Sequence, residues 1–554
     1  MLFNSVAFFI FFVIVYSIYL LLYKKYHWQN ILLFVASYIF YGWWDVRFLY
    51  LIILATVIDY LTSLLVDRGR LTAKQFIKAF AFLLAAAFFC VTVQWDAVSW
   101  YLNGLKPVID IDWNALLPLS IKSWWVFNLT LIVSIVLSIV GPPILRSKWA
   151  TRRFYMFVCV FLNLAILGVF KYFNFFADNL ITVFNYFGFE IGQWTYRIVL
   201  PVGISFFTFQ ALSHTVDVYR GQIKASDSLL ELAVYISYFP QLVAGPIERG
   251  AHLLPQFQRP RIIQWDECRE GLWLIFWGLY KKVVVADNIA LVVNSVFGPY
   301  DSMQLTTVPE DGVRCLLAIY AFAIQIYCDF SGYTDIARGV AKLMGFDIML
   351  NFNLPYIAVN PSDFWRRWHI SLSSWLRDYL YIPLGGSRGG TWCTYRNLIL
   401  TMVLGGLWHG AAWTFVLWGA FHGLILVLYR VLGLNELTEK ARFPMNIIYM
   451  VIMFHLVCFG WLLFRAQNMT TVSLFLKSIG TSFSWSTEAA ECLRKIGFYG
   501  WFLMLFQLAQ AKYKSLNPLT DSPWFLRLNI WLFVVMSILV LSPRKAQEFI
   551  YFAF

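Results

Sequence analysis

Long apolar runs separated by short polar loops make up most of the chain. Many runs approach the ~20 residues that span a bilayer's hydrocarbon core, which predicts membrane-crossing helices. The runs are continuous and lack the short alternation of outer-membrane barrel strands. Residues 1–22 begin without a basic leader or a small-residue cleavage site and read as a retained first span. In the tail, spans are expected at about 444–464, 497–510 and 526–542.

Two stretches depart from this pattern. Between residues 172 and 250, PVGISFFTFQALSHTVDVY and YFPQLVAGPIERG mix Pro, Gly, Ser and charges into apolar sequence. Residues 321–355 repeat the signal, with Asp329, Asp335 and Arg338 close together. Irregular backbone survives at membrane depth only when buried in protein or lining a water-filled cavity, so both stretches predict a core of broken helices. No internal repeat or linker stands out, which weakens an inverted-repeat transporter.

The composition, 60% apolar and 13% charged over 554 residues, makes this an all-α polytopic membrane protein whose length counts spans and not soluble domains. The net charge of +13 would suggest nucleic acid in a soluble protein, but here Lys and Arg cluster in short loops. They read as topology signals facing anionic lipid headgroups, with no nucleic-acid partner. Lys24 and Lys25, then Arg68, Arg70, Lys74 and Lys78, then Arg146, Lys148, Arg152 and Arg153 fall in alternate loops. This places the N-terminus outside, and the same counting from Lys440 and Arg442 brings the last residues out as well. The eight cysteines are scattered without a CxxC pair, so neither a disulfide framework nor a zinc site is indicated.

Candidate chemistry concentrates in residues 363–422. A charged, tryptophan-rich segment, DFWRRWHISLSSWLRDYLYIPLGG, is followed by an apolar hairpin carrying GGLWHG. His409 lies about ten residues into the run that begins at Asn397, roughly 15 Å deep on a straight helix. An ionisable group there is costly and points to function. Gly405, Gly406 and Gly410 permit close approach of another backbone or a ligand. Two readings stay open: an imidazole hydrogen-bonded across a helix interface, and a general base within a tunnel.

Arg366, His369, Ser373 and Arg377 recur at helical spacing and share one face of a predicted amphipathic helix. That helix either rests on the membrane surface or lines the mouth of a cavity, with Arg366, Arg367 and Arg377 drawing in a phosphate-bearing donor. His422, thirteen residues beyond His409, would point about 140° away on a continuous helix and so belong to a different site. His214 and His455 read as satisfied core groups, and His27 and His252 as loop residues. No metal-ligand pattern, P-loop, GxSxG elbow or dinucleotide fingerprint occurs.

FWRRWHISLSSWLRDYLYIPLGG followed by GGLWHGAAWTFVLWG resembles the membrane-bound O-acyltransferases, in particular their bacterial alginate O-acetylation branch. LPVGISFFTFQ, FPQLVAGPIERG, DFSGYTDIARGVAKLMGF and NFNLPY agree, so the resemblance covers roughly residues 170–423. It implies N-terminal spans over 1–170, a catalytic core over 171–430 and C-terminal spans over 431–554. The implied fold is a ring of tilted helices, with re-entrant and amphipathic pieces, around a central tunnel.

The implied catalytic residues are His409 and His369. Trp408, Ser373 and the three arginines would face the donor, acetyl-CoA, with no tightly bound cofactor and no metal. The implied setting is a bacterial inner membrane, with an extracytoplasmic acyltransferase partner and a polysaccharide acceptor. The terminal FIYFAF resembles a short motif of these systems, making Tyr551 an acyl relay or else an interfacial anchor. From other classes, a secondary transporter or channel and a non-enzymatic scaffold also accommodate buried His and Asp.

Overall fold

The computed structural model describes the chain apart from residues 104–105, 119, 146–149, 193–196, 306, 310, 544–546, 548 and 551–554. Two compact units emerge. The first comprises residues 1–243 with 247–262, and the second 244–246 with 263–554. Among the described residues, nine helical segments are long and apolar enough to cross a membrane.

In the first unit the helices are α1 (Val6–Leu21), α2 (Tyr26–Gly42), α3 (Leu49–Arg68), α4 (Ala73–Ala86), α5 (Trp113–Leu116), α6 (Trp125–Leu145), α7 (Arg152–Leu167), α8 (Phe173–Tyr186), α9 (Ile204–Tyr219), α10 (Leu229–Ser237) and α11 (Gly250–Phe257). Helix α3 packs against α4, α7 and α9. Its one buried carboxylate, Asp59, is paired with His214 of α9 at 2.8 Å and also accepts from the Thr215 hydroxyl. His214 is therefore a core group, as the sequence suggested, held through Nδ1 while its Nε2 is buried without a hydrogen-bond partner. Residues 238–243 are irregular yet fully buried, which matches the expectation of interrupted backbone enclosed in protein. One feature had no sequence signal: the loop after α4 folds into an antiparallel hairpin of β1 (Val98–Asn103) and β2 (Lys106–Ile111), pairing Val98 with Ile111.

The second unit continues with α12 (Trp265–Leu279), α13 (Asp287–Asp301), α14 (Gly312–Leu343), α15 (Pro361–Arg367), α16 (Ile370–Leu376), α17 (Thr391–His409), α18 (Trp413–Val431), α19 (Leu434–Glu439), α20 (Met445–Arg465), α21 (Met469–Thr481), α22 (Thr487–Tyr513) and α23 (Trp524–Leu541). A π-helical segment, Tyr280–Ala286, joins α12 to α13. Helices α12 and α14 meet at glycines. A Cβ on Gly278 would lie 2.6 Å from the Gly332 carbonyl oxygen, and one on Gly339 would lie 2.4 Å from that of Gly271. Only hydrogen fits there, and the two backbones pack directly.

Helix α14 corrects the expectation of a broken element at its acidic residues. It runs unbroken for 32 residues because the carboxylates have partners on the facing segment: Lys282 with Asp329 at 2.8 Å and Lys281 with Asp335 at 2.6 Å. Charges that would break an isolated span are neutralised across the interface. The irregular stretch comes later, between Met344 and α15; of the expected tail spans, α20 and α23 are long and apolar enough to cross a membrane, whereas α22, which covers 497–510, does not meet that measure.

Candidate active site

Asn360 caps α15 by accepting the Asp363 N–H, and Pro361 takes the first helical position, where its missing N–H costs nothing. The helix then stops. His369 sits at φ 44°, ψ 53°, a left-handed conformation that side chains with a Cβ rarely adopt, and α16 starts anew at Ile370. The continuous amphipathic helix expected over 366–377 is therefore two helices with His369 at the break. Arg366, His369, Ser373 and Arg377 do not share one helical face. His369 is not at a surface either, since it is completely buried.

Asn351, fully enclosed, explains how the break is held. Its Oδ1 accepts the Ser371 backbone N–H at 3.2 Å and the Ser371 hydroxyl at 2.9 Å, and lies 3.0 Å from His369 Nδ1. The Asn351 backbone carbonyl accepts the Ile370 N–H at 2.9 Å. A backbone N–H can only donate, so the Asn351 atom at the centre is its oxygen, and His369 Nδ1 carries the hydrogen. In the neutral ring, the lone pair is then on Nε2. His369 lies outside the candidate spans, and burial pushes its imidazole down to about 3, so the ring is neutral at physiological pH.

His409 is the last residue of α17, and its position follows from the α17–α18 hairpin. A Cβ on Gly406 would stand 2.2 Å from the Phe415 carbonyl oxygen, and one on Gly419 would stand 2.3 Å from that of Met402. These contacts press the two helices together and swing His409 against Trp418 (ring centroids 5.0 Å apart, edge to face), Phe464 of α20 (5.3 Å) and Trp408 (5.0 Å). The two imidazoles meet within this aromatic lining, with centroids 6.3 Å apart. Phe330 of α14 caps the His369 ring edge-on at 4.7 Å.

Of the residues the sequence singled out, His369, His409 and Trp408 come together, the Trp408 ring lying 6.1 Å from that of His369. The Ser373 hydroxyl donates to the Trp368 carbonyl at 3.0 Å. Each arginine has a carboxylate partner: Arg366 with Glu439 at 2.5 Å, Arg367 with Asp363 at 2.9 Å and Arg377 with Asp378 at 2.7 Å. Arg366 and Arg377 keep their side chains 60% and 64% exposed, open to a dissolved anion. Tyr551 lies outside the described residues.

His422 overturns the argument from a continuous helix. The turn at residues 410–412 reverses the chain, so His422 packs on Trp418 at 4.9 Å, the same indole that His409 touches. His455 is exposed and not a core group, though its ring meets Tyr320 OH at 2.8 Å and the Val451 carbonyl at 2.8 Å, and His27 and His252, expected in loops, lie in α2 and α11. Sequence reasoning missed Asn351, which stands eighteen positions before His369 with no shared periodicity. Its only trace was its place in NFNLPY.

The fold and this cluster define a polytopic helical membrane enzyme with a buried imidazole pair. Residues 158–469 match the MBOAT, membrane-bound O-acyltransferase family, and the chain belongs to that family. Similar proteins include the probable alginate O-acetylase AlgI of Pseudomonas putida, 35% identical with 100% of this chain and 99% of that protein covered. A peptidoglycan O-acetyltransferase of Helicobacter pylori is 34% identical over 71% of this chain and 78% of its own length. A teichoic acid D-alanyltransferase of Bacillus subtilis is 29% identical over 49% and 70%. The protein is thus a multi-pass membrane-bound O-acyltransferase, which sets aside the transporter and scaffold readings. Both imidazoles fall inside the matched region, and the C-terminal tail falls outside it.

Proposed function

We propose that the protein moves an acetyl group from cytoplasmic acetyl-CoA across a bacterial inner membrane, for O-acetylation of an extracytoplasmic polysaccharide such as alginate. The single observation that carries the chemistry is the buried His369–His409 pair at 6.3 Å. The acceptor reading draws on relatives whose names specify alginate, peptidoglycan and teichoic acid.

In the proposed reaction, His409 takes the proton of an acceptor hydroxyl as its oxygen attacks the thioester carbonyl carbon. The C–O bond forms, the C–S bond breaks, and the proton returns to the departing CoA thiolate. His369 presents a lone pair and not a proton at Nε2, because its hydrogen is committed to Asn351. It therefore suits orienting an acceptor hydroxyl or the His409 ring better than polarising the carbonyl. The aromatic lining excludes water, which protects the thioester from hydrolysis. Arg366 and Arg377, with Arg367 behind them, would attract the CoA phosphates.

The first acceptor in this scheme is the Tyr551 phenol. An aryl ester is a more activated donor than an alkyl one, and a separate extracytoplasmic acyltransferase would deliver the group to the polymer. The test supplies acetyl-CoA labelled in its acetyl group to sealed inside-out vesicles containing this protein and the partner. Label in lumenal polysaccharide, dependent on this protein and lost in Tyr551→Phe, is the expected result. Unchanged labelling in Tyr551→Phe would remove the relay, and no label without that substitution would remove acetyl transfer.

A further inference from the structure

Beside the Tyr280–Ala286 segment, buried charges of the second unit form two clusters with different completeness. Lys281 meets Asp335 at 2.6 Å and the Ser331 hydroxyl at 3.0 Å, one cation with one anion. One residue on, Lys282 meets two carboxylates, Asp287 and Asp329, each at 2.8 Å. All three are buried, with side-chain exposures of 8%, 1% and 3%, leaving one excess negative charge in a low-dielectric interior. Such a charge requires further hydrogen-bond donors.

The C-terminal tail supplies one. The Ile550 backbone N–H donates to Asp329 Oδ2 at 2.7 Å, and Lys282 Nζ in turn donates to the Gln547 carbonyl at 3.2 Å. Asn288 holds the start of the tail through the Leu541 carbonyl at 2.9 Å. These bonds engage backbone, so they hold Leu541, Gln547 and Ile550 independently of their side chains. Phe549, buried, then packs on Tyr333 at 5.1 Å and on Phe330 at 6.2 Å, the same Phe330 that caps His369.

We propose that Lys282, Asp287 and Asp329 form a cradle that holds the C-terminal residues Gln547, Phe549 and Ile550 inside the fold, with Phe549 beside the ring that caps His369. They are positioning residues, acting on the tail and not on the donor. The catalytic meaning of the cradle rests on the relay reading of Tyr551, but its geometry does not.

The experiment reads the tail directly. In full-length protein carrying Ile550→Cys, N-ethylmaleimide labelling is followed by mass analysis of the tryptic peptide 546–554, which contains no native cysteine. The expected result is slow labelling in this background, roughly tenfold faster labelling when Asp329→Leu is added, and no acceleration with Asp335→Asn. If Asp329→Leu does not accumulate in the membrane, Asp329→Asn serves, with a smaller acceleration expected. Rapid labelling of the Ile550→Cys protein itself, or equal rates in the Asp329 and Asp335 variants, overturns the cradle. Failure of the relay alone has another signature: Tyr551→Phe transfers acetyl normally while position 550 stays protected.

Discussion

His369 donates its Nδ1 hydrogen to Asn351 Oδ1 across 3.0 Å, and that bond decides which nitrogen of the imidazole is left to react. The Ser371 N–H on the same oxygen makes the assignment unambiguous, since the amide cannot turn round without setting two donors against each other.

Asn351→Leu should therefore lower acyl transfer by roughly a hundredfold, the scale of a lost acid–base contribution, while the protein still reaches the membrane. Asn351→Asp should retain more activity and raise the imidazole's proton affinity by placing an anion beside it. A pH–rate profile checks this, with the acid limb expected to move to higher pH in the Asp variant.

The buried neutral state of His369 also predicts a pH dependence of stability. Its folded value of about 3 lies below the ordinary 6.5, so the unfolded chain binds more protons between those limits. The contribution of His369 is complete above pH 6.5 and is lost as pH falls towards 3, at a slope of at most about 1.4 kcal/mol per pH unit. Thermal unfolding in detergent should show a shallower loss over that window for His369→Gln than for the natural protein.

The α17–α18 contact tolerates no added methyl group. Gly406→Ala should destabilise the protein by about 1–3 kcal/mol and reduce activity by displacing His409. Gly480→Ala, where a Cβ meets nothing within 4 Å, should be neutral. Comparing the unfolding temperatures of the two variants tests this.

If Arg366 attracts the donor's phosphates, Arg366→Gln should raise KM for acetyl-CoA several-fold with little change in kcat. Its exposed pair with Glu439 contributes at most about 1 kcal/mol, so unfolding should barely move. Added salt should shrink the KM difference, because charges more than ~8 Å apart are screened at physiological ionic strength. Steady-state kinetics at two salt concentrations gives the answer.

Much of this was legible in the chain because it depends on local composition. Apolar run lengths located most of the membrane-length helices, though α1 is too short and α22 not apolar enough to count among them, and the buried irregular stretch at 238–243 followed from Pro and Gly in an apolar context. The ends of those runs were less visible, as α17 begins at Thr391, six residues before the expected apolar run. What failed depended on partners distant in sequence. Asp329 and Asp335 suggested a broken helix because Lys281 and Lys282, some fifty residues earlier, cannot be paired with them by periodicity. The argument that set His422 apart from His409 failed because it carried helical geometry through a turn, and both rings pack on Trp418. The positive φ at His369 had no sequence signal, since neither Trp368 nor Ile370 breaks a helix, and Asn351 holds it from another loop.

The central claim is that the two neighbouring imidazoles perform acyl transfer. The most direct measurement is CoA release from acetyl-CoA by purified protein reconstituted with the extracytoplasmic acyltransferase and polysaccharide as the final acetyl acceptor, comparing the natural chain with His409→Ala and His369→Ala at matched amounts and matched unfolding temperatures. The account predicts that release falls at least a hundredfold in His409→Ala and substantially in His369→Ala. Undiminished CoA release from a folded His409→Ala protein would contradict it.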